Sequence, residues 1–399
     1  RQGVLSLNGG LTVSDAQTER PRLRPLPVRD VALTLRGPLI EATGSALAPT
    51  DGRRVADLRI VHNLTRGAGS ADIAVPGLLF DKQLQPDQLT PLTFGVIADV
   101  RGTVTGEGRI SWTPEGVASS GVFRTAGTDL AAAFGPVTGL AGEIRFTDLL
   151  ALVSAPGQRV TVKSINPGVP VTDGVVTFQT LANSRVQVDG ARWPFAGGAL
   201  TLDPTLLDFS GPAERRLTFH VAGADAGKFL QTFEFDNLNA TGVFDGTLPM
   251  IFDANGGRIR DGRLTVRPDG GTIAYVGELS RKNLGFWGNY AFDALKSLRY
   301  RSLDIVMNGP LAGEMLTEVR FAGVTQGEGA KSNFLIRRLQ RLPLVFNVRI
   351  RAPFRGLLDA TASFYDPKRL IQRNLPELIE RQNQGRNPAI QPPASETVP

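Results

Sequence analysis

Residues Gly242 to Gly277, GVFDGTLPMIFDANGGRIRDGRLTVRPDGGTIAYVG, decide the fold class of this 399-residue chain. They read as strand, turn, strand, turn, strand, with no room for a helix. Asp245-Gly246, Asn255-Gly256, Asp261-Gly262 and Asp269-Gly270 each supply residues that tolerate positive φ, which tight hairpin turns require. Between them Leu264 and Val266 point to one face, and Arg263, Thr265 and Arg267 to the other. One face is apolar and one is wet. The question this raises is whether the apolar face is filled by the protein itself or by something else.

Outward from this stretch the same pattern recurs at intervals of roughly 10 to 14 residues, the spacing of a meander. It runs from Val31–Leu35, Val55–Val61 and Thr103–Trp112, through Gly174–Thr180 and Leu217–Val221, to Leu303–Met307, Thr317–Phe321 and Val345–Ile350. With 45 glycines and 27 prolines spread along the chain, the reading is all-β with minor helices. Ala226–Phe233, Asn283–Arg299, Phe334–Leu342 and Arg369–Gln384 are the helical candidates, the last interrupted by Pro376. The expected organisation is one continuous β region over 1–368, a short helix over 369–384 and a disordered Pro-rich tail over 385–399. About 25 to 30 strands at ~4.8 Å would make a sheet on the order of 120 to 140 Å long. Such a sheet either curls into a trough with its apolar face inside or splits into a self-filled sandwich. Periodicity leaves both open.

Catalysis has little to work with. The chain has no cysteine and two histidines, His62 and His220, both read as solvent-facing on strands. It contains no nucleophile elbow, zinc-helix motif or phosphate-binding loop, so neither an enzyme nor a cofactor is expected. Asp253, Asn255 and Asp261 mimic a calcium loop, but Arg258 stands where that loop needs glycine, so hairpin turns fit better. Phe is 21 against 4 Tyr and 3 Trp; that bias suits hydrocarbon or an ordinary core better than sugar or peptide recognition. No apolar run reaches membrane-spanning length, and the chain opens at Arg1 already reading as strand, which suggests a piece of a longer protein.

The net charge of +6 is concentrated at one end: 331–373 carries ten Lys or Arg against Asp359 and Asp366. This argues against a broad nucleic-acid surface. Arg337, Arg338, Arg341, Arg349, Arg351 and Arg355 are candidates for contact with anionic head groups, although arginines on an outer strand face are also routinely just solvated.

GTLPM, IRDGRL and PDGGTIAYVG in the opening stretch, FDALKSLRYRSLDIVMNGPLAGEMLTEVRFAG (Phe292 to Gly323) and LPLVFNVRIRAPFRGLLDATASFYDP (Leu342 to Pro367) resemble the YdbH-like members of the AsmA-like superfamily. Val75 to Trp112 and Gly135 to Gln158 are similar to the same family. The resemblance implies a bridge-like lipid transfer protein of the Gram-negative envelope. Its long, highly curved antiparallel sheet would form an open groove across the periplasm. An N-terminal helix would anchor it in the inner membrane, and a small outer-membrane lipoprotein would add strands at its C-terminal sheet edge. The expected activity is non-enzymatic phospholipid transport, with acyl chains in the groove. By alternation the lining would include Leu217, Phe219, Phe233, Phe235, Leu264, Val266, Ile273, Leu303, Ile305, Val319, Phe321, Val348 and Ile350. The competing expectation is a structural or adhesive β-solenoid or sandwich with a self-filled core.

Overall fold

The computed structural model of the chain describes residues 4–15, 19, 21–132, 135–166, 170–211, 214–232, 238–253, 256–275, 298–311, 313–326 and 345–353. They are almost wholly strand. The first group is β1 (Val4–Val13), β2 (Leu26–Arg36), β3 (Leu39–Leu47), β4 (Arg54–Asn63), β5 (Ala68–Phe80), β6 (Ile97–Thr113), β7 (Gly116–Ala132) and β8 (Gly135–Asp148). Next come β9 (Val153–Ser154), β10 (Gln158–Ile165), β11 (Val171–Leu181), β12 (Arg185–Phe195), β13 (Gly198–Leu202), β14 (Thr205–Asp208) and β15 (Arg215–Asp225). After the helix α1 (Ala226–Thr232) follow β16 (Leu238–Thr241), β17 (Val243–Asp253), β18 (Gly256–Val266) and β19 (Gly271–Tyr275). The last are β20 (Leu298–Tyr300), β21 (Ser302–Pro310), β22 (Glu314–Ala322), β23 (Thr325–Gln326) and β24 (Val345–Pro353). The expected helix at 226–233 is α1. Those at 334–342 and 369–384, and the tail, lie outside the described residues, as does 283–299 except for its end, which is strand in β20.

Twenty strands form one antiparallel sheet. Its ladder follows the chain: β1 to β8 in order, then β10, β11, β12, β13, β15, β17, β18, β21, β22 and β24. β9 shares a level with β10, and β14 with β13. Among the described residues β1 and β24 each pair on one side only, and the sheet is not closed into a barrel. Eighteen levels at ~4.8 Å give a contour of roughly 80 Å. That is shorter than expected, partly because β16, β19, β20 and β23 leave the meander and form a second, four-stranded sheet.

Two of the four expected turns are turns. β17 and β18 join as a hairpin closed by the Asp253–Gly256 pair, and the Gly270 N–H donates to the Arg267 carbonyl at 2.9 Å. Asp261-Gly262 instead lies within β18, where Asp261 takes φ 55° and the register against β21 shifts. Positive φ here makes a β-bulge rather than a chain reversal. Asp245-Gly246 is likewise inside β17. Gly246 faces Leu264, and a Cβ there would collide with the Arg263 carbonyl, so close approach of the two strands explains the glycine.

A flat single sheet would leave both faces wet. Here the apolar face is buried, with Leu217 3% and Phe219 2% exposed, so the sheet bends over that face. Further evidence of this bending is the connector 81–96, between β5 and β6. Its Leu84 is fully buried among Ala48, Val55, Val75, Phe80 and Val100. Gln85 clasps Val100 through its side-chain amide, both bonds 2.8 Å. Asp81 pairs with Arg53 at 3.0 Å, the Thr90 hydroxyl donates to the Arg22 carbonyl at 2.6 Å, and Arg24 N–H donates to the Leu89 carbonyl. From the other side the Ser184 hydroxyl, in the β11–β12 turn, reaches the Leu92 carbonyl. One strap thus touches the approach to β2 and a turn several strands away, which only a strongly coiled sheet allows.

Candidate functional site

Register builds the apolar face row by row. Val221 opposes Gly246, Gly246 opposes Leu264, Leu264 opposes Ile305, Ile305 opposes Val319, and Val319 opposes Val348. A neighbouring row sets Leu303 against Phe321 and Phe321 against Phe346. Because side chains alternate along each strand, the members of these rows from β15 to β22 lie on a single face.

The buried side chains form clusters that touch. The largest gathers residues from Val137 on β8 to Met315 on β22. A second surrounds Leu84, and Leu130 packs against both. A third, with Val266, Leu298, Tyr300 and Leu303, brings the small sheet onto the large one and shares Ile305 with the first. Apolar surface is therefore linked from β4 to β22. A fourth cluster, around Val28 and Ala46, stands apart.

Most of the predicted lining falls within these clusters. Leu217 and Phe219 are in the largest, with Leu264 and Ile305 packed against it. Val266 and Leu303 are core to the third, with Ile273, Val319 and Phe321 beside them. Ile273 belongs to the small sheet rather than the long one. Val348 and Ile350 occupy positions on β24 opposite Val319 and Thr317, while Phe233 and Phe235 lie outside the described residues. Trp193, Met250, Ile259 and Met315, all buried, were not anticipated; on β12 the phase of alternation slips at the left-handed Gly190, where the register against β11 shifts.

The opposite face is polar and laced with ion pairs. Arg109 meets Asp72 at 3.0 Å, and Arg124 meets Glu143 at 2.6 Å, with Arg145 3.1 Å from the same carboxylate. Arg124 first, and Arg145 after it, hold Glu143 below the usual carboxylate range. Arg54 does the same for Asp57, and Arg267 for Asp245. A concavity of about 1070 Å³ is lined by Asp57, Arg59, Asp72, Arg109 and Arg145 together with Leu58, Ile73, Val122 and Phe146.

His62 is packed against an indole, whereas His220 faces outward as expected, with polar partners. His62 stacks on Trp112 and its Nδ1 accepts from the indole at 3.1 Å, across Gly69 on the strand between them. His220, on the polar face, lies 2.8 Å from Asp203 and 3.1 Å from the Thr247 hydroxyl. The Tyr300 hydroxyl donates to the Thr241 carbonyl at 2.8 Å, and burial pushes its pKa to about 12. Among the described residues no group of three His, Cys, Asp or Glu could hold a metal, and no helix is long and apolar enough to cross a membrane. Of the basic candidates, Arg349 is bound to Glu318 at 2.7 Å and Arg351 sits opposite Leu316 on β24. Arg337, Arg338, Arg341 and Arg355 lie outside the described residues.

Fold and face together define an open antiparallel β-sheet protein with an extended apolar lining. Residues 5–376 match the model of the YdbH-like family, described as intermembrane phospholipid transport protein YdbH, and the chain belongs to that family. No curated protein and no solved structure matches the chain. The family is one of lipid transport rather than of enzymes; membership implies phospholipid as substrate and a place in the cell envelope.

Proposed function

We propose that this chain conducts phospholipid between the inner and outer membranes of a Gram-negative envelope without chemistry on its cargo. Acyl chains lie against the apolar face, and head groups ride at its open margin. The observation that carries this reading is the apolar linkage from β4 to β22 through Leu130 and Ile305. Each CH₂ buried is worth about 0.8 kcal/mol, so a chain cannot cross water unaided but can move along a uniform lining at nearly constant energy. The lining side chains give way as cargo enters. The arginines of 331–373 meet anionic head groups, and a small outer-membrane lipoprotein adds strands at the C-terminal edge of the sheet. Contact with the inner membrane is made through an N-terminal helix. Transport needs no metal or organic cofactor and engages no nucleic acid.

Leu264→Asp and Ile305→Arg each put a charge on the row that joins two clusters. Photo-crosslinked phospholipid capture should be lost in both while circular dichroism remains that of wild type. Normal capture by the folded variants overturns the reading. The burial of the largest cluster favours a second reading, a self-filled structural sheet. Purified protein free of extractable phospholipid would support that reading.

A further inference from the structure

Trp193 lies on β12 within the largest cluster, 1% exposed, its ring 6.2 Å from that of Phe219. Its Nε1–H is the one buried side-chain polar atom among the described residues without a hydrogen-bond partner. Buried donors are nearly always satisfied, because leaving one unpaired forfeits its hydration with nothing in return. The contrast within the molecule is direct, since Trp112 gives its indole N–H to His62.

The setting looks arranged for the indole. Gly174, on the adjacent β11, lies against it, and a Cβ there would collide with Nε1. Gly174 does not take positive φ, so the glycine provides room rather than a special backbone. The neighbours in the cluster, among them Val188, Ala191, Leu200 and Phe219, are apolar. A phosphate would strand its charge in the apolar cluster. The acceptor that fits is neutral and attached to hydrocarbon.

A phospholipid carries such acceptors where its acyl chains begin. We propose that Trp193 Nε1–H donates to an acyl-ester carbonyl of the cargo, which makes β11–β12 a station where the lipid rests in one register. This inference rests on the conduction reading above. It predicts recognition of the ester linkage, which the apolar lining alone would not distinguish.

The experiment loads the purified chain with dioleoyl phosphatidylglycerol and, in competition, its di-ether analogue, which lacks both carbonyls, and counts retained lipid by native mass spectrometry. Wild type should retain the diester about 2- to 10-fold better, the worth of one ordinary hydrogen bond. Trp193→Phe keeps an aromatic ring, so it should retain both lipids without preference. Independently of that variant, the wild-type Trp193 indole proton resonance should move downfield with the diester and stay put with the di-ether. Equal retention of the two lipids by wild type, or a preference that survives in Trp193→Phe, overturns the inference and leaves conduction standing. Should Trp193→Phe not fold, an indole resonance indifferent to the linkage overturns it alone. Retention of neither lipid by wild type overturns both.

Discussion

The strands β2–β7 and β8–β22 build the same kind of sheet by different means. The later region gathers twenty buried residues into one cluster, including Trp193, Phe219, Met250 and Phe252. The earlier region has eight in its main cluster, mostly Val, Leu and Ala; it relies more on long strands, some of whose glycines are roofed by larger side chains. β6 and β7 run for 17 residues each. Phe123 lies over Gly106 and Gly121, and Leu149 over Gly108. Large interlocked side chains make the later region a source of stability. Glycine rows under a few broad residues leave the earlier region more able to rearrange.

That contrast can be broken most decisively at Phe219. Phe219→Ala should destabilise by about 3 to 5 kcal/mol in urea titration; a loss under 1 kcal/mol would mean the later cluster is loosely packed and the two regions alike. Next is Leu84→Ala, the strongest test of the earlier region. Its cost should be about 2 to 5 kcal/mol if the strap is pinned as described, with hydrogen exchange rising first around 81–96. Uniform exchange along the chain would show that the strap is not a separate latch. The smallest effect is at the seam with the small sheet. Tyr300→Phe removes the bond to the Thr241 carbonyl and should cost about 1 kcal/mol. Because burial raises the Tyr300 pKa from 10.0 to about 12, the neutral hydroxyl supports the fold below pH 10 and that support is lost as pH climbs toward 12. The alkaline decline should shrink in the Phe variant; an unchanged profile would remove Tyr300 from the seam.

Much of this was legible in the sequence because alternation is a local signal. Leu217, Phe219, Leu303 and Ile305 showed their face from two-residue periodicity alone, and their clusters follow it. Dipeptides were less informative: Asp-Gly permits positive φ whether the chain reverses, as after β18, or merely bulges, as at Asp261. Only pairing with β21 decides between them. The small sheet was hidden for a related reason, since which partner β19 and β20 choose depends on residues far apart in the chain. Trp193 escaped because the bulge at Gly190 shifts the phase of alternation along β12. The packing of His62 escaped because Gly69, on the strand between, lets His62 and Trp112 meet across it.

The strictly sequential order of the long sheet makes it a ruler. Almost every strand bonds only to those just before and after it, so one hairpin can be added or removed without rewiring the remainder. Each such step changes the span by about 10 Å and restores the direction of the exposed edge. Reach across a compartment can therefore be tuned in fixed increments by duplicating or deleting hairpins, while single-residue changes within a strand turn its side chains to the wrong face unless a bulge absorbs them.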